Sequence, residues 1–259
     1  MLVELTAGSA EDAQRREADR PLLEVERAAL AAPPALDAAA ALAHDPQRTK
    51  VIAEVKRASP SRGDIAPIAD PAALAADYAS AGAAAISVLT EERRFKGSLR
   101  DLEVVRAAVE VPVLRKDFVS TPYQVLEARA AGADLVLLIV AALDDARLGE
   151  LAALVRDLRM TALVETHSEQ EVDRALAVGA EVIGVNARDL DTFALDRDLF
   201  GRIVERIPAG PVKVAESAVR SAADVAAYRA TGADAVLVGE ALVTGDPAAL
   251  IHEFERAGA

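Results

Sequence analysis

TPYQVLEARAAGADLVLLIV, residues 121–140, contains one full cycle of a pattern that organises the whole chain. Thr121 offers a side-chain oxygen to cap a helix, and Pro122 takes the first helical position, where its missing N–H removes no bond. Gly132 stops the helix in a backbone conformation that is cheap only without a Cβ. The run LVLLIV at 135–140 shows no polar alternation, as expected of a strand covered on both faces. The same order returns in DPAALAADYASAGAAAISVL (70–89), SEQEVDRALAVGAEVIGVN (168–186) and SAADVAAYRATGADAVLVG (221–239). Asp70, Ser168 and Ser221 supply the caps, Glu171 completes a capping box, and Gly82, Gly179 and Gly232 are the stops.

Four further apolar runs lie between these units: VIAEV (51–55), VPVLR (111–115), TALVE (161–165) and PVKVAE (211–216). Helical patterns fill the gaps in SLRDLEVVRAAV (98–109), DDARLGELAALVRDL (144–158), DRDLFGRIVERI (196–207) and DPAALIHEFERAG (246–258). Strict alternation of eight strands with eight helices predicts parallel strands, and eight such units close into an α/β (β/α)8 TIM barrel over 49–259. Residues 1–48 are expected to form a helical extension, broken at Pro33-Pro34, within one domain overall. The alternative, an open doubly wound sheet, calls for a Gly-rich dinucleotide loop after the first strand, and RASPSRG (57–63) is not one.

The net charge of −13 argues against a nucleic-acid or membrane-surface partner. An anionic small molecule must therefore find locally concentrated positive charge. Apolar residues make up 52% of the chain, yet no run approaches the roughly 18 needed for a membrane span. The opening MLVELTAGSAEDAQRRE lacks the sections of a signal peptide, which points to the cytoplasm, as does the absence of cysteine. Of 29 basic residues only Lys50, Lys56, Lys96, Lys116 and Lys213 are lysines. A lysine here is informative, because its ammonium shifts pKa on burial in a way that suits proton transfer.

In a barrel of this kind chemistry gathers where strands end and βα loops begin. Those ends carry Glu54 and Lys56, Lys116, Glu165, Asn186 with Arg188, Glu216 with Ser217, and Gly239 with Glu240. Glu54 and Lys56 interrupt an apolar run at alternate positions, so both point to the face of Ile52. Lysines and carboxylates converging on one mouth create opposed pKa pressures, the condition for separate acid and base roles at neutral pH. The loops after the last two strands, AESAVRS (215–221) and VGEALV (238–243), stand where such barrels bind phosphate through backbone N–H groups and the start of a short helix. His44, His167 and His252 are too dispersed for a ligand set, so no metal is expected. No Ser-His-Asp arrangement stands out and no nucleophilic cysteine exists.

The runs AEVKRASPSRG (53–63), SVLTEERRFKGS (87–98), VLRKDF (113–118), LVETHSEQEV (163–172), IGVNARDLDTF (183–193), KVAES (213–217) and LVGEAL (237–242) together resemble the indole-3-glycerol phosphate synthase family. The resemblance covers about residues 49–245 in order, one motif per strand end. It implies a cofactor-free, metal-free, monomeric enzyme that closes a ring on a carboxyphenylamino-deoxyribulose phosphate and expels carbon dioxide and water. By motif position it implies Lys116 as general acid, with Glu165, Glu54 and Lys56 sharing the remaining proton transfers. Asn186 and Arg188 would hold the anthranilate end, and Ser59, Ser217, Gly239 and Glu240 the phosphate end, with Pro60 and Glu216 also in contact. Phe95, Phe118, Leu137 and Ile139 would form apolar walls.

Three features depart from the family pattern. Ala218 follows Ser217 where glycine is usual, and its Cβ is expected to crowd the phosphate or forbid a positive φ. Ala187 stands where asparagine is frequent. The leading segment AAPPALDAAAALAHD (31–45) matches poorly. The competing readings are a phosphoribosylanthranilate isomerase-like barrel, which commonly uses a cysteine, a barrel that binds a sugar phosphate without turnover, and a Schiff-base aldolase using Lys116.

Overall fold

The computed structural model describes residues 1–258. Eight parallel strands close a barrel: β1 (Lys50–Val55), β2 (Ala85–Leu89), β3 (Val113–Lys116), β4 (Leu135–Ile139), β5 (Thr161–Thr166), β6 (Val182–Asn186), β7 (Val212–Glu216) and β8 (Ala235–Val238). Each pairs with its sequence neighbours, and β1 shuts the ring by pairing Ile52 with Ala85 of β2 and with Leu237 of β8. A closed ring has no edge strand and no reversal of strand order, which excludes the open sheet.

The pleat decides what faces inward. Ile52, Leu114, Leu163 and Val214 pack with their neighbours inside the ring. Two residues further along the same strands, on the same face, stand Glu54, Lys116, Glu165 and Glu216. The barrel interior is thus apolar below and charged at its mouth. The opposite strand faces meet the helices in a separate, larger apolar cluster.

The helices that follow the strands are α4 (Pro71–Ser80), α5 (Leu99–Ala108), α6 (Pro122–Ala130), α7 (Asp145–Asp157), α8 (Glu169–Ala177), α9 (Leu199–Ile203), α10 (Ala222–Ala230), α11 (Glu240–Thr244) and α12 (Pro247–Arg256). Asp70, Thr121 and Ser221 accept the helix N–H bonds expected of caps. At α8 the geometry differs from the predicted capping box: Ser168 accepts from Glu171 N, but Glu171 reaches one residue further back, to the N–H of His167 at 2.8 Å. The pattern at 196–207 predicts a full helix, yet only α9 and the short 3-10 turn Val204–Arg206 form there. Gly201 lies in the middle of this stretch, and Asp198 bonds no helix N–H.

Ahead of β1 come three helices, α1 (Leu2–Asp19), α2 (Leu22–Ala31) and α3 (Ala38–Leu42), with Pro33-Pro34 in the gap between the last two. Ala13 of α1 and Val25 and Ala29 of α2 pack on Tyr123 and Leu126 of α6. Polar contacts add to this seat. Arg16 pairs with Glu127 at 2.6 Å, and Ser9 donates to Asp117 at 2.8 Å. Fully buried Arg115 joins both acids, reaching Asp117 at 2.9 Å and Glu127 at 3.4 Å.

At the other end of the ring two aspartates bind strands together. Asp134 accepts from Leu36 N at 2.8 Å and Val113 N at 2.9 Å, and pairs with Arg106 at 2.5 Å. Asp234 accepts from Lys213 N at 2.9 Å and faces His44 at 3.0 Å. Both belong to a repeated Gly-Ala-Asp that ends a helix and opens a strand. Among the described residues no helix is long and apolar enough to cross a membrane.

Candidate active site

One cavity opens at the C-terminal ends of the strands, and all the side chains nominated from the sequence border it. Glu54 and Lys56 meet at 2.7 Å, so the buried carboxylate and the half-buried ammonium have each other as partners. Gly239 makes room for them. A Cβ there would collide with Glu54 Oε1 and lie 3.0 Å from Lys56 Nζ, a reason for glycine additional to phosphate approach.

Lys116 Nζ lies 3.5 Å from Glu165 Oε2 and 3.6 Å from Glu216 Oε2. Both carboxylates are about 1% exposed, and none of their four oxygens has a hydrogen-bond partner within the protein. Their charge is therefore balanced chiefly by the lysine. Burial works against the Lys116 ammonium, but Glu165, Glu216 and Glu54 outweigh it and hold the pKa above the ordinary lysine value. Burial likewise opposes ionisation of Glu165, yet Lys116 and then His167 bring its pKa below the usual carboxylate value. Glu216 goes the other way, pushed up to about 8 by burial and by the charge of Glu165. Two carboxyls beside one ammonium are thus driven to opposite protonation states. Gly184 of β6, unremarkable in the sequence, lies between them and provides the space: a Cβ there would collide with Glu216 Oε1.

Asn186 Oδ1 accepts from Ser217 Oγ at 2.8 Å and from Arg188 N at 3.0 Å, tying the ends of β6 and β7. The Arg188 guanidinium donates to Phe193 O at 3.2 Å. Ser217 and Ala218 both adopt left-handed backbone, with φ of 66° and 61°. The expectation that Ala218 would forbid a positive φ is corrected. The Cβ is accommodated, at a strain of about 1 kcal/mol for an L-residue in this region. The Glu240 carboxylate pairs with Arg62 at 3.0 Å, and Glu240 is among the residues that line the cavity.

Phe95 and Phe118 stand with ring centroids 6.0 Å apart and, with Leu137 and Ile139, form an apolar side. Ser59 and Pro60 reach the cavity from a short hairpin that pairs Ala58 with Asp64. Several lining residues escape sequence reasoning. Leu5 arrives from α1, and Leu190 and Phe193 from the loop after β6. These two segments also touch, since the Met1 amine lies 3.3 Å from Asp191. His167, noticed only as a poor metal ligand, stands 3.5 Å from Glu165 Oε1. Among the described residues no group of three or more His, Cys, Asp and Glu side chains is placed to hold a metal ion.

Solved structures share this architecture at low identity. N-acetylmannosamine-6-phosphate 2-epimerase from Clostridium perfringens aligns with a TM-score of 0.60 at 14% identity, over 75% of this chain and 88% of that one. Thiamine phosphate pyrophosphorylase from Pyrococcus furiosus gives 0.58 at 16%, over 80% and 93%. At such identity they speak for the fold alone. The sequence comparisons are far closer. Indole-3-glycerol phosphate synthase from Leifsonia xyli subsp. xyli is 66% identical over 254 residues, 98% of this chain and 97% of the relative. The Rhodococcus opacus enzyme of that name is 58% identical over 249 residues, 96% and 92% respectively. The family model described as indole-3-glycerol phosphate synthase matches residues 2–254. With the barrel, its charged mouth and these matches along nearly the whole chain, the protein belongs to the indole-3-glycerol phosphate synthase family.

Proposed function

We propose that the cavity converts 1-(2-carboxyphenylamino)-1-deoxyribulose 5-phosphate to indole-3-glycerol phosphate, a step of tryptophan biosynthesis, by general acid and base catalysis. The observation that carries this reading is the placement of one ammonium, Lys116, beside two carboxyls with opposed pKa shifts at the floor of the cavity. An acid kept protonated and a base kept ionised at the same pH are what ring closure and dehydration need.

In this mechanism the ring carbon bearing the carboxylate attacks the ketone carbon, and Lys116 gives its proton to the ketone oxygen as the new bond forms. The carboxylate leaves as carbon dioxide, returning its electron pair to the ring. The hydroxyl then departs as water with a proton from the Lys56 ammonium, while Glu165 or Glu54 takes the proton whose loss completes the double bond. Glu216 is protonated at neutral pH and positions Lys116 without adding a second full charge. Arg188 and Asn186 orient the anthranilate end, the guanidinium matching a carboxylate by its planar fork. Ser59, Ser217 and the backbone at Gly239 and Glu240 receive the phosphate, and Pro60 borders it. The two phenylalanines, Leu137 and Ile139 hold the aromatic ring away from water.

The test is to supply this substrate and follow indole fluorescence in the unmodified protein and in Lys116→Met. Loss of the acid should cost on the order of 10²- to 10⁴-fold in rate. No signal from the unmodified protein would favour binding without turnover, and equal signal from both would remove Lys116 from its role. The proposal includes a cytoplasmic monomer. A dimer by light scattering would overturn that part.

A further inference from the structure

His167 is the first residue after β5 and lies behind Glu165, outside the residues that line the cavity. Its Nε2 faces Glu165 Oε1 at 3.5 Å, while Lys116 faces the other oxygen, Oε2, at 3.5 Å. On its far side Nδ1 lies 3.3 Å from Glu171 Oε2, the atom that also takes the His167 backbone N–H at 2.8 Å. The backbone bond alone secures the Glu171 side chain, so the cap does not explain why the ring turns toward Glu165. Nε2 is buried and has no hydrogen-bond partner within the protein. The groups that face the ring are Glu165 and Glu171, Glu216 from β7 and Asp189 from the loop after β6. All are carboxyls. Burial opposes a charged imidazole, but these neighbours outweigh it and raise its pKa above the ordinary value.

We propose that His167 is a positioning residue for Glu165: its ring stands against Oε1 from behind while Lys116 faces Oε2 from the cavity, and together they keep this carboxylate ionised and aimed at the substrate. The side chains of Glu165, His167 and Glu171 are 1%, 15% and 19% exposed. The ring therefore lies between nearly fully buried Glu165 and the more exposed Glu171. The inference rests on the reading of Glu165 as a proton acceptor.

The experiment measures kcat and KM against pH for the unmodified protein, His167→Asn and Glu165→Gln. Removing the cation should move the acid limb of kcat in His167→Asn up by about one pH unit, the low end for an opposite charge at this range. KM should stay unchanged, since His167 does not border the cavity. A structural role alone would alter stability and leave the limb where it was. The coupling must be reciprocal. In Glu165→Gln, nuclear magnetic resonance should show the His167 ring titrating about one unit lower. The ring is resolvable from the only other histidines, His44 and His252. An unmoved limb in a folded His167→Asn overturns the inference. Should that variant not fold, an unmoved ring titration in Glu165→Gln overturns it independently. Wild-type turnover by Glu165→Gln would instead overturn the proton-acceptor reading itself, whatever the ring titration shows.

Discussion

Buried carboxylates stand at both ends of this barrel, and their surroundings differ completely. Asp134 at the base is 2% exposed, and its two oxygens meet two backbone N–H groups and the guanidinium of Arg106. Glu165 and Glu216 at the mouth are 1% exposed, and their oxygens face an ammonium at 3.5 and 3.6 Å with no hydrogen bond from the protein. Equal burial thus gives opposite consequences. A carboxylate whose lone pairs are matched by fixed donors is inert and binds strands together. One that faces neighbouring charges but no fixed hydrogen-bond donors can exchange protons and receive a ligand, at the expense of stability.

The sharpest way to break this comparison is Lys116→Met. Turnover should fall roughly 10²- to 10⁴-fold, while the urea midpoint changes far less than that rate loss implies, because one carboxyl can protonate in response. A large loss of stability with retained rate would mean that the mouth is built like the base. Next in size is Asp134→Ala. Removing a buried partner of Arg106 and two backbone donors should cost about 3 kcal/mol of folding stability, read by urea denaturation, with kcat unchanged.

A third experiment compares stability against pH in the unmodified protein and in Glu216→Gln. Glu216 has a folded pKa of about 8 against 4.5 for the ordinary group. The folded state therefore binds the extra proton between these values, so its stabilising contribution is full below 4.5 and is lost progressively as pH rises toward 8. Glu216→Gln should flatten that decline and, at pH 8, be more stable than the unmodified protein by about 1 kcal/mol or more. A slope identical to that of the unmodified protein would show that Glu216 does not titrate there. The smallest effect is expected for Ala218→Gly. Relief of left-handed strain is largely offset by the greater freedom of glycine in the unfolded chain, leaving a net change within about 0.5 kcal/mol. KM should fall by a small factor if the Cβ crowds the phosphate end. A raised KM would show that the methyl group contributes to binding.

The barrel was legible because its instructions are local. Asp70, Thr121, Ser168 and Ser221 cap helices within three residues of themselves, and Gly82, Gly132, Gly179 and Gly232 all adopt the positive φ that stops require. The convergence of Glu54, Lys116, Glu165 and Glu216 was legible for a similar reason. Each stands two places beyond an inward apolar residue on its own strand, so closure of the ring alone brings them together. What stayed hidden depends on neighbours distant in sequence. Gly184 matters because of a carboxylate on the next strand. Leu5 reaches the cavity only because α1 is seated on α6 and Asp117. His167 was visible in VETHSE, but nothing local shows that its ring turns toward Glu165. The stretch at 196–207 has helical periodicity without a working cap, and its helix is correspondingly short.

Arg115 and Lys116 are adjacent in sequence, yet the pleat sends one outward among the helices and the other into the cavity. The outward guanidinium grips Asp117 and Glu127, which α1 holds in turn through Ser9 and Arg16. The Lys116 amine consequently inherits its coordinates from the far side of the wall. A substitution at the molecule's outer shell, at Arg16 for instance, is therefore expected to displace this amine without touching the cavity.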